Sequence, residues 1–179
     1  MKLDLLPYMD SRIAAQIAGT TDSEWVYALL MSQLRDPTVH VAADELTAAL
    51  RKTLSILRDV RQKHGIHQSS SLNLFLSDGR SVVGLRFTFD FGCYATENAA
   101  RLHEANTRFL SMWCTVGSHY THINGEWSMV GEAFSADSMI LSSEPLTRNM
   151  SSWLEVPEYT GIVVERADKL RVSYEAMDV

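Results

Sequence analysis

Leu72-Asn73-Leu74-Phe75-Leu76-Ser77-Asp78-Gly79-Arg80-Ser81-Val82-Val83 is the stretch at which the hydrophobic period of this chain changes from 3.6 to 2. Leu72, Leu74 and Leu76 alternate with polar Ser71 and Asn73, Asp78-Gly79 is a tight-turn dipeptide, and Val83, Leu85, Phe87 and Phe89 alternate on the return. Residues 71–90 therefore read as a β-hairpin with one strongly apolar face. Helical patterns precede it and strand patterns follow it. The fold class expected is α+β, an antiparallel sheet with helices on one face.

Upstream, residues 42–64 place Leu46, Ala49, Leu50, Thr53, Leu57 and Val60 on one helical face and Glu45, Arg51, Lys52, Arg58 and Lys63 elsewhere, the pattern of a half-buried helix with Gly65 as its C-cap. Before it, a helix from Asp22 to about Leu34 carries Trp25, Leu29, Leu30 and Leu34 on one stripe, and Arg35-Asp36-Pro37 is its stop signal. It is expected to pack against the sheet. The first eighteen residues predict one or two short helices with Pro7 in a first turn, ended by Gly19.

Downstream, residues 95–107 carry a weak helical pattern. Phe109 to Ile123 predicts a strand, Asn124-Gly125 a hairpin turn, and Trp127, Met129 and Ser138 to Ser142 a continuation of the same sheet. Gly161 to Glu165, a turn at Ala167-Asp168 and Leu170 to Tyr174 are expected as edge strands. No repeat or low-complexity tract interrupts the chain.

The 179 residues, 46% hydrophobic and 21% charged, suit one domain, 1–179, with a sizeable core. A net charge of -6 with scattered basic residues argues against nucleic acid as a partner. No apolar run approaches the roughly 20 residues that span a bilayer, and Met1-Lys2-Leu3-Asp4 is not the start of an uninterrupted apolar leader. No membrane association and a cytoplasmic location are expected. Cys93 and Cys114 make no disulfide framework and no Cys-x-x-Cys metal pair, so both are expected as packed thiols.

The stretch that bears on function is Gly19-Thr20-Thr21-Asp22-Ser23-Glu24-Trp25. Thr21 is a good N-cap and Glu24, three residues on, is placed to reach back to the Thr21 amide, which together form a capping box. The box leaves Asp22 over, at the first helical position with its carboxylate free beside the positive helix end. Such a carboxylate suits an ammonium ligand, although an acid there also simply complements the helix dipole.

This helix start resembles that of the class II (N-terminal-nucleophile) glutamine amidotransferases. Leu72 to Val83, Leu141-Ser142-Ser143-Glu144-Pro145-Leu146-Thr147 and Trp153-Leu154-Glu155-Val156-Pro157 extend the resemblance, from about Leu5 to about Val164. The order and spacing are most similar to the branch that holds the fungal glutathione-degrading amidotransferase and the ergothioneine-pathway amidohydrolase. The resemblance implies a partial αββα sandwich, with this chain as the C-terminal part of a type 2 amidotransferase domain. It implies a glutamine or γ-glutamyl substrate, and it makes Asp22 the group that binds the substrate ammonium. No cofactor is implied.

Amide hydrolysis by this family requires an N-terminal Cys whose α-amine is the base, an Arg for the substrate carboxylate and an Asn-Gly pair for the oxyanion. Residue 1 is Met and residue 2 Lys, the cysteines are internal, and the one Asn-Gly, Asn124-Gly125, falls in a predicted hairpin turn. No residue of this chain is therefore assigned a catalytic role, and Asp22 alone carries over. Other constellations are weaker. His119 and His122 in a strand face opposite sides, no Glu completes a metallopeptidase signature for them or for His64 with His67, and Ser77-Asp78 or Ser142-Ser143-Glu144 with His119 lacks a nucleophile elbow. The plain reading of Ser143 to Leu146 is a strand end closed by Pro145, and of Trp153 and Pro157, pins for the last strands.

Two readings remain. One is an amidotransferase or γ-glutamyl amidase part that acts only when a catalytic half with an N-terminal Cys is supplied. The other is a non-catalytic subunit that kept the fold. Three helices cover one sheet face, so the other is expected to need cover, and apolar patches beyond roughly 300 to 600 Å² are rare on monomers. The chain is expected to be a homo-oligomer or to pair with a separate polypeptide.

Overall fold

A computed structural model of the chain describes residues 1–179 except 95, 109–110, 124 and 167–168, and of residues 104–108 it describes the backbone alone. The chain forms two compact units, Met1–His67 with Asp178–Val179, and Gln68–Met177.

The first unit is helical. A 3-10 helix, Lys2–Tyr8, precedes α1 (Ser11–Ala14), α2 (Asp22–Met31) and α3 (Ala43–Lys63). Pro7 lies inside the 3-10 helix rather than in a first turn, and α1 ends before Gly19 is reached. The α2 helix stops at Met31, three residues short of Leu34, where Ser32 Oγ turns back to the Ala28 carbonyl at 2.8 Å and the chain tightens into i→i+3 bonds. Gln33 Nε2 then donates to the Tyr8 carbonyl, tying this end of α2 to the 3-10 helix.

The α3 helix fits its sequence pattern. Leu46, Ala49, Leu50, Thr53, Leu57 and Val60 are all buried, along with Leu54 and Ile56. Full burial of a leucine such as Leu50 or Leu54 contributes about 1.5 to 3 kcal/mol. Its end is a Schellman motif: Gly65, at φ 61, donates to Gln62 O, and Ile66 donates to Arg61 O. Asp4 accepts from His64 at 2.9 Å and Lys63 at 3.3 Å in the same final turn. Those bonds hold its carboxyl at about 2, below the usual carboxylate range.

The second unit is built on the expected hairpin. β1 (Ser70–Ser77) and β2 (Ser81–Phe89) pair antiparallel, with Leu72, Leu74 and Leu76 opposite Phe87, Leu85 and Val83. The turn is held by Asp78, whose Oδ1 accepts from the amides of Arg80 and Ser81, and by Gly79 at φ 85.

In place of one meander there are three sheets. After α4 (Ala99–Arg108), the residues expected as one strand from Phe109 to Ile123 are two strands, β3 (Trp113–Gly117) and β4 (His119–Ile123), in different sheets. Phe109 and Leu110 lie outside the described residues, as do Ala95 and Asn124 of the expected helix and turn. The break at Ser118 has a steric cause. A Cβ on Gly117 would stand 2.5 Å from the Val130 carbonyl oxygen, so only glycine lets β5 (Glu126–Val130) cross there, and Ser118 N donates to that same carbonyl.

β4 and β5 form their own two-stranded sheet. β6 (Ser138–Ser142), β3 and β7 (Leu154–Glu155) form a second in that order. β8 (Thr160–Arg166) and β9 (Leu170–Ala176) complete the hairpin sheet in the order β1-β2-β8-β9. β8 is thus a central strand, not the edge expected from the sequence, and it is buried from Thr160 to Val164. The turn at Ala167-Asp168 lies outside the described residues.

The four-stranded and three-stranded sheets stack. Ile162, Val164 and Val82 meet Met112, Cys114, Met139, Leu141 and Val156 in one core. Gly84 permits the close approach: a Cβ there would lie 3.0 Å from Leu141 Cδ1 of the second sheet, besides 2.8 Å from Cγ2 of Ile162, its cross-strand partner on β8. One face of the four-stranded sheet is therefore packed by β3 and β6. On the opposite face Val83, Leu85, Phe87 and Val163 are buried as well, so the central strands carry no open apolar face. The architecture is α+β, as the change of period implied. Among the described residues no helix is long and apolar enough to cross a membrane.

Candidate functional site

The start of α2 has the expected cap at Thr21. Its Oγ1 accepts from the Glu24 amide at 3.4 Å, with Thr21 in the extended region that an N-cap requires. Glu24 departs from the capping box. Its carboxylate passes Thr21 and accepts from the Gly19 amide at 2.8 Å and the Ala18 amide at 2.9 Å. Gly19 makes this possible, because a Cβ there would stand 2.5 Å from Glu24 Oε2. The sequence signal was present in Gly19 but pointed to a helix stop rather than to a carboxylate cradle.

Asp22 is left outside this network, as the sequence implied, with its side chain 89% exposed. It is not without a partner. Lys2 Nζ lies 2.8 Å from Asp22 Oδ1 and also donates to the Thr20 carbonyl. The carboxylate to which resemblance assigns an ammonium thus holds an ammonium from its own chain, with a backbone carbonyl as second acceptor. Neither Lys2 nor the Thr20 carbonyl was legible as part of a site, since eighteen residues separate Lys2 from Thr20.

A half-open cleft of about 650 Å³ lies elsewhere in the helical unit, between Asp10, Arg12, Tyr27, Met31, Arg35 and Asp36, and Asp22 does not line it. Asp10 caps α1 and accepts from the Arg12 guanidinium at 2.9 Å, which holds its carboxyl at about 2 and raises Arg12 in turn. Asp36 is lowered by the hydroxyl and amide of Thr38. Asp10 and Arg12 neutralise one another, and among the described residues no cysteine lines the cleft.

In the β-unit the other candidates separate. Arg86, the one buried guanidinium of β2, is bound by Glu155 Oε1 at 2.9 Å, by the Val156 carbonyl and by Glu158 at 3.6 Å, so it is committed to pinning β7. Cys114 is buried, with its Sγ 3.6 Å from Tyr174 Oη, and burial raises its thiol. Tyr174 is pushed up to about 12 by burial and by that contact. Cys93 is exposed, contrary to the expectation that both thiols pack. It lies in the turn after β2, where Asp90 at φ 48 and Gly92 at φ 83 swing the chain outward. His122 packs edge-on against the Trp127 ring, which Tyr120 stacks on. Trp153 is buried and its Nε1 donates to Thr147 Oγ1 at 2.9 Å, which ties it to the loop after β6. Among the described residues no group of three His, Cys, Asp or Glu side chains could hold a metal ion.

No protein-family model matches the chain. Its sequence is 28% identical to the probable glutamine amidotransferase DUG3 of Saccharomyces cerevisiae over 93% of this chain and 46% of that protein. The chain thus spans about half the length of the curated relative it matches. In fold it is similar to a glutamine aminotransferase class-II domain protein from Silicibacter pomeroyi, with a TM-score of 0.61 and 17% identity over 100% of this chain and 62% of that one. The chain therefore resembles the class II glutamine amidotransferases, in sequence through the yeast protein and in fold through the bacterial one.

Proposed function

We propose that this chain is the substrate-gripping part of a glutamine amidotransferase or γ-glutamyl amidase, and that it hydrolyses glutamine or a γ-glutamyl compound only together with a catalytic half bearing an N-terminal Cys. The observation that carries this reading is Asp22, an exposed carboxylate at a helix start whose capping is complete without it and which already takes an ammonium, that of Lys2. Resemblance gives that position to the substrate ammonium. Among the described residues neither a cysteine nor an arginine pairs with Asp22, and the reading therefore takes the nucleophile from a second polypeptide.

The test is hydrolysis of L-glutamine and of a γ-glutamyl anilide by purified chain, alone and with a catalytic half. No turnover alone, and turnover on complementation that Asp22→Asn suppresses, is the expected result. Turnover by the chain alone that is lost in Cys93→Ala or Cys114→Ala overturns it. A non-catalytic subunit is the second reading, favoured by the ion pair between Lys2 and Asp22, which occupies the ammonium position from within. It predicts no turnover in either case.

A further inference from the structure

We propose that the side of the β-sandwich bounded by β1 and β6 is a docking edge, at which a second polypeptide adds a strand to each of the two stacked sheets. A sheet edge presents a row of backbone donors and acceptors to any extended chain, and native proteins blunt such edges with charges, proline or very short strands. The two stacked sheets have four edges, and they are treated unequally. β9 carries Arg171 and Glu175, and β7 is two residues long. β1 is eight residues, Ser-Ser-Leu-Asn-Leu-Phe-Leu-Ser, and β6 is Ser-Met-Ile-Leu-Ser, with no charge and no proline in either. Among the described residues no further strand pairs with either one.

The two unguarded edges lie on the same side. Asn73 of β1 donates through Nδ2 to Ser143 Oγ at 3.3 Å, directly after β6, and to the Ser111 carbonyl at 2.8 Å. Phe75 of β1 pairs with Gly84, which in turn faces Leu141 of β6. Exposure follows the same division: Phe75 is 44% exposed and every residue of β6 is half-buried, whereas β2, one strand further in, is buried along nearly its whole length. A partner that completes both sheets must bring two extended, largely uncharged segments and be held chiefly by main-chain bonds.

The occupant we assign is the polypeptide equivalent to the part of the related amidotransferases that this chain does not match, since the chain covers 46% of the yeast relative and 62% of the bacterial neighbour. That identity rests on the proposed function, while the edges rest on their own composition and placement. The test is hydrogen exchange on the full chain, alone and mixed with the portion of the yeast relative outside the matched 46%, expressed as a separate polypeptide. Expected is slowing of about tenfold or more at residues 70–77 and 138–142 with 170–176 unchanged, and a comparable loss of association in Phe75→Lys or Ser142→Lys, the charges that guard natural edges. Because the footprint is read on the unmodified chain, it stands even if a variant misfolds. Absence of association, slowing elsewhere, or concentration-dependent slowing of the same strands in the chain alone, which would make a second copy the occupant, overturns the inference. A complex with this footprint and no amidase activity would sink the functional reading and leave the docking edge standing. An active complex with another footprint would do the reverse.

Discussion

Lys2 Nζ and Asp22 Oδ1 are 2.8 Å apart, so the carboxylate at the start of α2 is neutralised by a side chain of the same unit. The pair is open to solvent on the aspartate side, and exposed pairs of this kind contribute little to stability. Asp22→Asn should therefore leave the unfolding midpoint of the isolated chain nearly unchanged. In the complemented enzyme, where the substrate and the catalytic half would cover Asp22, the same substitution should weaken substrate binding by about 2 to 5 kcal/mol, the scale for removing one partner of a desolvated charge pair. Lys2→Ala should leave both the fold and turnover intact and lower KM. A large loss of stability in Asp22→Asn, with substrate affinity unchanged, would reduce Asp22 to a helix-start acid.

Gly19→Ala and Glu24→Ala should not be additive. The alanine Cβ at position 19 displaces the Glu24 carboxylate from the Gly19 and Ala18 amides, so either change removes the same bonds. Each single variant should lose about 1 kcal/mol, and the double variant little more than one of them. Chemical denaturation of the four proteins measures the cycle, and full additivity would mean that the glycine serves only the chain path.

Gly117→Ala should be more damaging than Gly84→Ala. Both would crowd a packed layer, but the Gly84 Cβ would press on side-chain atoms, Ile162 Cγ2 and Leu141 Cδ1, at a cost of about 1 to 3 kcal/mol. The Gly117 Cβ would meet the backbone carbonyl of Val130 at 2.5 Å, which cannot move without opening the crossing between β3 and β5. Denaturant midpoints in the reverse order would show that β4 and β5 are loosely held.

Of the two thiols only Cys93 should react quickly with a disulfide reagent in the native protein. Cys114 is buried to 1% exposure and its thiol is raised by burial, so it should become reactive only on unfolding. Two rapidly modified thiols would mean that β3 and β9 part readily at the contact between Cys114 and Tyr174.

Asp4 should give the fold an acid-sensitive step. Its carboxyl is held at about 2 in the fold, against 3.8 for the free group, mainly by the hydrogen bond from His64 and then that from Lys63. A depressed carboxylate contributes stability that is fully present above the unfolded value and is lost as pH falls from there toward 2. Asp4→Asn should flatten the unfolding curve in that window and leave it unchanged at neutral pH apart from a constant offset. An unaltered acid limb would place the acid sensitivity on another carboxylate, such as Asp10.

The local structure was legible because its causes are local. Leucine spacing, a glycine after the last turn of α3 and an Asp-Gly between alternating strands act over a few residues, and α3, the Schellman end at Gly65 and the β1–β2 hairpin follow from them. The cap at Thr21 and the exposure of Asp22 were legible for the same reason. What needed the tertiary structure depended on contacts across long separations, which composition and period do not encode. The break between β3 and β4 arises because Val130 comes back against Gly117. β8 is central because β9 returns outside it, and the second sheet covers the first because Gly84 admits Leu141 of β6. The occupant of Asp22 likewise comes from Lys2, twenty positions away along the chain and in contact only once the 3-10 helix and α2 have folded.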